Sequence, residues 1–419
     1  MRAGWILTAV LLTLTPLATN PARAADAPSW PRFHGPSGDN LSTETGLLKA
    51  WPEDGPPLVW TATGMGEGYS GVALAGGKIY TAGNVGGKTV VTALDLDGKT
   101  LWQAECGKPW TSGPGGTRST PTIEGDRLYY ETPYGDVYCL DAGTGEEIWT
   151  VNILDRFSSK NITWSLAESL IVDGDRIICL PGGPKASVVA LDKTTGETVW
   201  AAASADEDLA GYATLSLVEQ DGLRIILTMT AKALIGINAD GGELLFRFPH
   251  KTNYDVNATT PIYHDGQIFI TSGYGTTGSV MVRLTVDGAR ASVEKVWESR
   301  ELDNHHGGVI LLDGYIYGAA HNFNSGKWIC LDWKTGEMKY AERGVGKGSL
   351  TYADGMLYTY SEKRDVGLVP ATPAAHEVVS SFKTPSGPDG PTWAHPVVCG
   401  GRLYLRHGDN LYAYNVSAE

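Results

Sequence analysis

The stretch ALDKTTGETVW at residues 190–200 decides the fold of this chain, because closely related motifs recur along the sequence. CLDAGTGEEIW at residues 139–149 is nearly the same, and ALDLDGKTLW at residues 93–102 is a shorter variant. Each copy has small apolar residues, a Leu-Asp pair, a turn with Gly and then an aromatic residue. Four weaker copies and one N-terminal fragment end at Phe246, Trp297, Tyr340, Phe382 and Trp60. The chain is therefore built from eight repeats.

The period of the repeat selects the architecture. The aromatic residues from Trp60 to Phe382 follow one another at about 46 residues on average, which fits the 40–50 residues of a four-stranded propeller blade. Short runs of β-branched and aromatic residues interrupted by Gly, such as 125–130 and 266–270, predict strands rather than helices. Each repeat therefore predicts strands A to D, with tight turns between A and B and between C and D.

The last repeat predicts how the ring closes. The chain ends soon after the predicted strand at residues 410–414, so this repeat lacks a D strand of its own, and the spare strand around residues 58–60 is predicted to supply it. Closure in this way removes exposed sheet edges. We predict an all-β, eight-bladed β-propeller with four-stranded antiparallel blades. Residues 57–419 form the single propeller domain, and residues 25–56 form an N-terminal extended segment.

The N-terminus has the features of a secretory signal peptide. Met1 and Arg2 precede an apolar run at residues 5–17, and an Ala-x-Ala site ends at Ala24. The apolar run is shorter than the roughly 20 residues that span a bilayer. We predict that residues 1–24 are cleaved, that the mature protein has no membrane span, and that it lies in the periplasm or outside the cell. No Cys stands at the end of the apolar run, so a lipoprotein is not expected.

Composition excludes several classes of function. The chain carries 33 Lys and Arg against 47 Asp and Glu, a formal net charge of −14, and nucleic-acid binding needs a basic face. The five Cys residues form no C-x-x-C pair, so the zinc and c-type haem signatures are absent, and the odd number leaves at least one thiol unpaired. We therefore expect no nucleic-acid partner.

The three clearest copies resemble the tryptophan-docking repeat of the pyrroloquinoline-quinone (PQQ) propellers. That family includes quinoprotein alcohol dehydrogenases and BamB-type outer-membrane-protein assembly factors. Residues 30–36 and 46–52 are also similar to the start of secreted PQQ-like repeat proteins of planctomycete-type bacteria. The resemblance implies the propeller architecture, but it does not select one function, because catalytic and non-catalytic members share the repeat.

Departures from the family pattern bear on the chemistry. Quinoprotein dehydrogenases typically have an adjacent Cys pair beside the cofactor, and this sequence has no two neighbouring Cys residues. They usually hold calcium through a Glu, an Asn and an Asp, for which no motif here assigns the ligands. BamB-type members are usually lipoproteins, and this chain lacks the Cys for lipidation.

Long, irregular loops mark one face of the predicted ring as the candidate functional face, since function concentrates on variable loops held by a rigid scaffold. These are the B–C loops and the connections from each D strand to the next A strand. Six of the nine His residues map to them: His250, His305, His306, His321, His395 and His407. Because neighbours on an extended chain point to opposite sides, we expect that His305 and His306 cannot both face the same metal ion unless the chain is kinked there.

Alignment of the A strands predicts which residues lie at the mouth of the central channel on this face. These are Tyr69, Arg118, Ala167, Ala258, His306, Lys347 and Trp393. The alignment assigns no residue of blade four, because its strand carries an insertion near Tyr212. We predict cofactor or ligand binding by five of them, with the cations holding an anion and the aromatic residues stacking a planar ring: Tyr69, Arg118, His306, Lys347 and Trp393. The alternative is that these residues only fill the channel and pair with Glu168 or Asp255.

Metal binding has weaker support. Asp255, Asn257 and Asp303 offer the hard oxygen atoms that suit calcium, but no EF-hand spacing accompanies them. We therefore assign no metal site and keep these three residues as weak candidates.

Three functional hypotheses follow. The first is a non-catalytic binding or scaffold protein of the cell envelope, with a BamB-like role in protein interaction or assembly. The second is a quinoprotein alcohol or sugar dehydrogenase that uses PQQ and Ca²⁺, and the third is a carbohydrate-binding propeller. No cofactor is assured. The expected partners are envelope proteins or an anionic, planar small molecule, and we expect a monomer.

Overall fold

The computed structural model describes residues 1, 4, 28–275 and 278–418 of the 419-residue chain. The predicted signal-peptide cleavage site lies outside the described residues. The strands before blade 1 are β1 (Leu41–Ser42) and β2 (Leu58–Ala62). Blades 1 to 3 contain β3 (Ala73–Ala75), β4 (Lys78–Val85), β5 (Lys88–Asp95), β6 (Thr100–Glu105), β7 (Thr122–Glu124), β8 (Arg127–Glu131), β9 (Asp136–Asp141), β10 (Glu147–Asn152), the short helix α1 (Ile153–Arg156), β11 (Ile171–Asp173), β12 (Arg176–Cys179), β13 (Val189–Asp192) and β14 (Thr198–Ala201).

The remaining strands follow the same order. Blades 4 to 6 contain β15 (Ser216–Gln220), β16 (Leu223–Met229), β17 (Ala233–Asn238), β18 (Leu244–Pro249), β19 (Ile262–His264), β20 (Gln267–Thr271), β21 (Ser279–Asp287), β22 (Arg290–Ser299), β23 (Val309–Leu312), β24 (Tyr315–Ala319), β25 (Trp328–Asp332) and β26 (Met338–Glu342). Blades 7 and 8 contain β27 (Gly348–Ala353), β28 (Met356–Ser361), β29 (Asp365–Pro370), β30 (Ser380–Lys383), β31 (Val397–Cys399), β32 (Arg402–His407) and β33 (Asn410–Asn415).

The strands form eight sheets, one for each blade, and each blade has four antiparallel strands, which confirms the predicted all-β, eight-bladed propeller. In blade 7, β1 adds a fifth strand parallel to β27. Blades 1 to 7 each take four consecutive strands, with the A strand innermost. Blade 8 combines β31, β32 and β33 with β2, and Trp60 pairs with Ala413. The predicted closure by the N-terminal strand is therefore confirmed.

Docking of each D-strand aromatic on a neighbouring turn explains the repeated Gly. The backbone at Gly196 has φ +72°, and a Cβ there would lie 2.7 Å from the Trp149 ring of the preceding blade. The same ring donates its indole N–H to the carbonyl of Lys193, at 3.2 Å. Gly145 meets Trp102 in the same way, at 2.6 Å. The turn accepts only glycine without strain, because both the positive φ and the close ring exclude a side chain.

Arg406 links the last blade to the first. Its side chain is buried, and it donates hydrogen bonds to the main-chain oxygens of Met65, Gly66, Ser70, Ala82 and Gly408 and to the Thr81 hydroxyl. Burial lowers the pKa of Arg406 to about 10, so the guanidinium stays charged at neutral pH. The adjacent Asp409 carboxylate accepts hydrogen bonds from the N–H groups of Gly64 and Gly66. Ring closure therefore rests on polar contacts as well as on strand pairing.

Residues 30–42 enter the central channel, and we call this segment the plug. Trp30 exchanges two main-chain hydrogen bonds with Leu74 of blade 1, both at 2.8 Å, and the carbonyl of Pro31 accepts one from Ile123 of blade 2. At the other end of the plug, β1 runs parallel to the inner strand of blade 7 and pairs Leu41 with Tyr352. The plug thus occupies the side of the channel formed by these blades.

The hydrophobic core lies between neighbouring blades, and it contains the cysteines. All five Cys residues are buried and free. Burial raises the pKa of Cys106 to about 12, so this thiol is protonated at neutral pH. Among the residues that the structure describes, no helix has the length and hydropathy needed to cross a bilayer.

Candidate functional site

A pocket of about 300 Å³ lies at the mouth of the channel, and we call it the channel-mouth pocket. Its wall comes from the D-to-A connections and from one B–C loop, as predicted for the functional face. Aromatic side chains make up much of the wall: Tyr69, Trp164, Tyr212, Tyr274 and Trp393. Phe33 of the plug also lines it. The volume is at the lower end of the range for ligand-binding pockets.

The structure brings most of the predicted channel-mouth residues together. Tyr69, Arg118, Ala167, Ala258, His306 and Trp393 all line the channel-mouth pocket, and only Lys347 is set back from it. The rings of Tyr69 and Trp393 lie 4.7 Å apart, and those of Trp393 and His306 are also 4.7 Å apart.

Arg118 is the dominant charge of the pocket wall. Its guanidinium donates to the carbonyls of Pro114 at 2.8 Å and Gly116 at 3.1 Å, and it lies 5.6 Å from the centre of the Tyr69 ring. Within residues 28–275 and 278–418, no carboxylate forms an ion pair with it. Burial lowers the pKa of Arg118 but leaves the group protonated at neutral pH. Arg118 also donates to the Ser165 hydroxyl at 3.3 Å. A half-buried cation whose hydrogen-bond partners are all uncharged attracts an anion.

Lys347 is neutralised by Glu362, which begins the B–C turn of blade 7. The Lys347 ammonium lies 3.0 Å from Oε1 of Glu362, and the indole N–H of Trp393 donates to the same oxygen at 3.1 Å. Nε2 of His306 is also 3.1 Å from it. Burial alone would raise the pKa of Glu362, but His306 and Lys347 outweigh it and lower that pKa to about 2. The sequence-based alternative of pairing with Glu168 or Asp255 is wrong for Lys347.

His305 and His306 line the same pocket, because the chain is not extended at this point. Their ring centres are 4.5 Å apart, and both line the channel-mouth pocket. The alternation of side chains applies to strands, and residues 302–308 form an irregular connection before β23. Burial lowers the pKa of both imidazoles, which keeps them neutral at pH 7. Of the other four His residues of this face, only His395 lines the pocket.

A chain of hydrogen bonds fixes the floor of the pocket. Nε2 of His395 lies 2.8 Å from the carbonyl of His306, so this nitrogen carries the proton and donates. Nδ1 of His395 therefore accepts, and Nε2 of His34 donates to it at 3.2 Å. Burial lowers the pKa of His395 to about 4, which agrees with the neutral ring that this arrangement requires. Through His34, the plug is tied directly to the wall of the pocket.

Two of the three weak metal candidates, Asn257 and Asp303, already use their polar atoms within the protein. Asn257 donates to the carbonyls of Thr230 and Ala231 and accepts from the Ser272 hydroxyl. Both carboxylate oxygens of Asp303 accept main-chain N–H groups from residues 321–323. Asp255 is exposed and has φ +57°. Among the described residues, no three His, Cys, Asp or Glu side chains form a group that could hold a metal ion.

Two buried carboxyl groups lie behind the pocket. Glu168 follows the pocket residue Ala167, and Glu131 ends the B strand of blade 2. Among the described residues, neither oxygen of Glu131 has a hydrogen-bond partner, and Oε1 of Glu168 has none. Burial raises the pKa of both groups, and that of Glu168 reaches about 7. The uncharged form of each carboxyl is therefore favoured in the folded protein.

Sequence reasoning missed three features of the site. Glu362 lies on a short turn with no motif, and its role depends on the long-range approach of Lys347 and Trp393. Phe33 reaches the pocket only because the plug enters the channel. Tyr212 adopts φ +77° and pairs in a bridge with Asn257, at the position where the strand alignment of blade four failed.

Comparison with known proteins agrees with this architecture. A family described as outer membrane protein assembly factor BamB matches residues 86–342. The BamB protein of Moranella endobia (strain PCIT) is 22% identical over 277 residues, which are 65% of this chain and 69% of that protein.

Two solved structures are similar in fold. BamB from Moraxella catarrhalis gives a TM-score of 0.60 at 16% identity, over 86% of this chain and 98% of that one. Quinohemoprotein alcohol dehydrogenase from Comamonas testosteroni gives a TM-score of 0.63 at 13% identity, over 95% of this chain and 82% of that one. At these identities the two structures show the shared propeller alone. Because the family match extends over more than half of the 419 residues, the chain belongs to the family of the outer membrane protein assembly factor BamB.

Proposed function

We propose that this protein is a non-catalytic binding and scaffold protein of the cell envelope, which holds a partner at the channel-mouth pocket. Membership of the BamB family supports a role in envelope assembly. The observation that carries the proposal is the unpaired guanidinium of Arg118 in an open pocket with aromatic walls. Export by the predicted signal peptide would place this pocket in the periplasm or outside the cell.

The chemistry of the pocket indicates what the partner presents. Lys347 and Glu362 cancel each other's charge and the histidines are neutral, so Arg118 supplies the net positive charge. Tyr69 and Trp393 add ring faces beside it. A planar group that carries one negative charge fits this arrangement, whether it belongs to an envelope protein or to a small molecule.

Capture from envelope extracts tests the proposal. The wild-type protein, Arg118→Gln and Arg283→Gln are immobilised and exposed to extract at moderate salt. Arg283 is exposed on β21, where it pairs with Gln267 next to the A–B turn on the face opposite the pocket, and serves as the matched control. We expect a reproducible partner with wild type and Arg283→Gln, and roughly tenfold less with Arg118→Gln, because a charge-assisted hydrogen bond contributes about 1.5–3 kcal/mol.

The thermal midpoint of each variant shows whether it is folded, and light scattering tests the expected monomer. Absence of a reproducible partner for wild type would refute the scaffold role. Equal recovery with Arg118→Gln would refute the pocket as its site.

The second candidate is a PQQ- and Ca²⁺-dependent dehydrogenase, which the flat aromatic walls and Arg118 favour. PQQ supplies an ortho-quinone that accepts electrons, and it brings three carboxylates. The pocket offers one unpaired cation, and the oxygen atoms of Asn257 and Asp303 are engaged elsewhere. These residues do not fit that pair of cofactors well. Titration with PQQ and Ca²⁺, followed by absorbance and by dye reduction with alcohols or sugars, is expected to show no binding at micromolar cofactor.

The aromatic walls also suit the third hypothesis, carbohydrate recognition. Stacking of a sugar ring on Tyr69 or Trp393 requires no charge, and Arg118 would then have no anionic partner. A glycan array distinguishes this case, because hits that survive Arg118→Gln would favour it over an anionic ligand.

A further inference from the structure

A second cavity, of about 420 Å³, lies in the central channel, and we call it the lower channel cavity. On one side it is lined by the plug, at His34, residues 37–39 and Leu41. On the other side it is lined by the innermost strands of blades 4, 5 and 6. His264 is exposed and ends β19 directly before the A–B turn, so the cavity opens on the face opposite the channel-mouth pocket.

Each of these three inner strands pairs with the next strand of its blade, but among the described residues the plug does not pair with its inner edge. It bonds through its backbone to the inner strands of blades 1, 2 and 7. Over the described part of the chain, the plug makes no main-chain hydrogen bond to β15, β19 or β23. The inner edges of these strands therefore present free main-chain donors and acceptors to the lower channel cavity.

The fold already shows how such an edge is satisfied. Leu41 and Ser42 lie as a short parallel strand on β27, in register with Tyr352 and Ala353. The Thr351 hydroxyl supports this pairing by donating to the carbonyl of Asn40, at 3.1 Å. An extended segment thus fits against an inner strand within this same channel.

The lining of the cavity indicates the character of its occupant. Leu217, Ile262 and Leu311 present apolar side chains, and Leu217 is 38% exposed although it lies inside the ring. Thr260 lines the same cavity, and its buried hydroxyl has no hydrogen-bond partner in the part of the chain that the structure describes. Asp39 provides the only formal charge among the lining residues, and neither Lys nor Arg is among them. A peptide with alternating apolar side chains and no acidic residue is complementary to this surface.

We propose that the lower channel cavity binds an extended peptide segment of a partner protein. The segment adds as a strand to the inner edges of blades 5 and 6, where β19 and β23 are three and four residues long. The main-chain groups of the segment form hydrogen bonds with the strand edge, and its apolar side chains contact Leu217 and Ile262. Acidic segments are excluded, since Asp39 would repel them.

Isothermal titration calorimetry with synthetic peptides tests this inference. The probe is a capped hexapeptide, Val-Thr-Val-Lys-Val-Thr, and two comparison peptides replace Lys by Glu or methylate alternate main-chain nitrogens. The variant is Leu217→Glu, and the matched control is Val199→Glu, which is 48% exposed on the outer strand β14. Both changes place an acid at a partly exposed site, so neither is expected to unfold the ring.

We expect sub-millimolar binding of the probe by wild type and by Val199→Glu, and at least tenfold weaker binding by Leu217→Glu. The Glu peptide and the N-methyl peptide should also bind wild type at least tenfold more weakly than the probe does. Absence of binding by wild type, or equal affinity for the N-methyl peptide or for Leu217→Glu, would overturn the inference. Arg118→Gln should bind the probe as wild type does, so failure here is distinguishable from failure of the channel-mouth proposal.

Discussion

Replacement of Arg406 by Met tests how the propeller closes between its last and first blades. Met keeps most of the side-chain volume but removes every donor of the guanidinium. Six oxygen atoms then lose a partner. The Ala82 carbonyl keeps the Thr117 hydroxyl at 2.9 Å, and the Thr81 hydroxyl still donates to the Gly71 carbonyl.

The expected loss of stability follows from the carbonyls that have no second donor among the residues described by the structure. These belong to Met65, Gly66, Ser70 and Gly408, and an unsatisfied buried acceptor costs about 1 kcal/mol or more. Removal of the buried charge offsets part of this loss of stability, because the guanidinium no longer has to be desolvated on folding. We expect Arg406→Met to lower the free energy of unfolding by about 3 kcal/mol.

Thermal unfolding, followed by calorimetry and circular dichroism, measures the effect. For domains of 150–250 residues, 1 kcal/mol moves Tm by roughly 2–4 °C, and the shift per kcal/mol decreases with size. A fall in Tm of about 3–6 °C is therefore expected. Arg283→Met is the matched control, since Arg283 is exposed, and its Tm should match that of wild type. A Tm for Arg406→Met within about 1 °C of wild type would refute the role of this residue in closure.

Three further changes test the packing and the buried carboxyls. Gly196→Ala should destabilise the protein by about 2–4 kcal/mol in chemical denaturation, because the new Cβ meets the docked Trp149 ring and φ is positive. Trp30→Ala should cost about 3–5 kcal/mol, because Trp30 is 2% exposed and anchors the plug. Burial raises the pKa of Glu168 from 4.5 to about 7, so stability should fall as pH rises through this interval, and Glu168→Gln should reduce that fall.

Controls separate these effects from general sensitivity to substitution. Gly174→Ala has a positive φ of +60° but open space around its Cβ, so it should cost only about 1 kcal/mol. An equal loss for Gly174→Ala and Gly196→Ala would contradict aromatic docking. Stability of Trp30→Ala equal to wild type would show that the plug is not needed for folding. An unchanged fall in stability between pH 5 and 8 in Glu168→Gln would mean that another group titrates.

The architecture was predictable because its determinants are local and repeated. Each docking aromatic residue lies a few residues after the turn Gly of its own repeat, so a segment such as residues 190–200 contains a complete strand–turn–strand unit. Ring closure followed from counting strands, since the last repeat lacks a D strand that residues 58–60 supply. Sequence periodicity is informative wherever one supersecondary unit is repeated.

The site was predictable only in part. Alignment of the A strands identified Arg118 and Trp393, because equivalent positions of each blade face the channel. It did not find Glu362 or Phe33, whose positions depend on contacts between distant parts of the chain. The plug has no copy elsewhere in the sequence, so no internal comparison could show that it enters the channel.

Site-specific photo-crosslinking in the native envelope tests most directly the central claim that the channel-mouth pocket holds an envelope partner. A photoreactive amino acid replaces Tyr254, which is 59% exposed and in edge contact with the pocket residue Tyr274. A second variant carries it at Asp126, an exposed residue of the A–B turn of blade 2 on the opposite face. We expect one defined crosslinked protein from position 254, reduced by Arg118→Gln, and none of the same mass from position 126. No crosslink at position 254, or the same product from both positions, would contradict the claim.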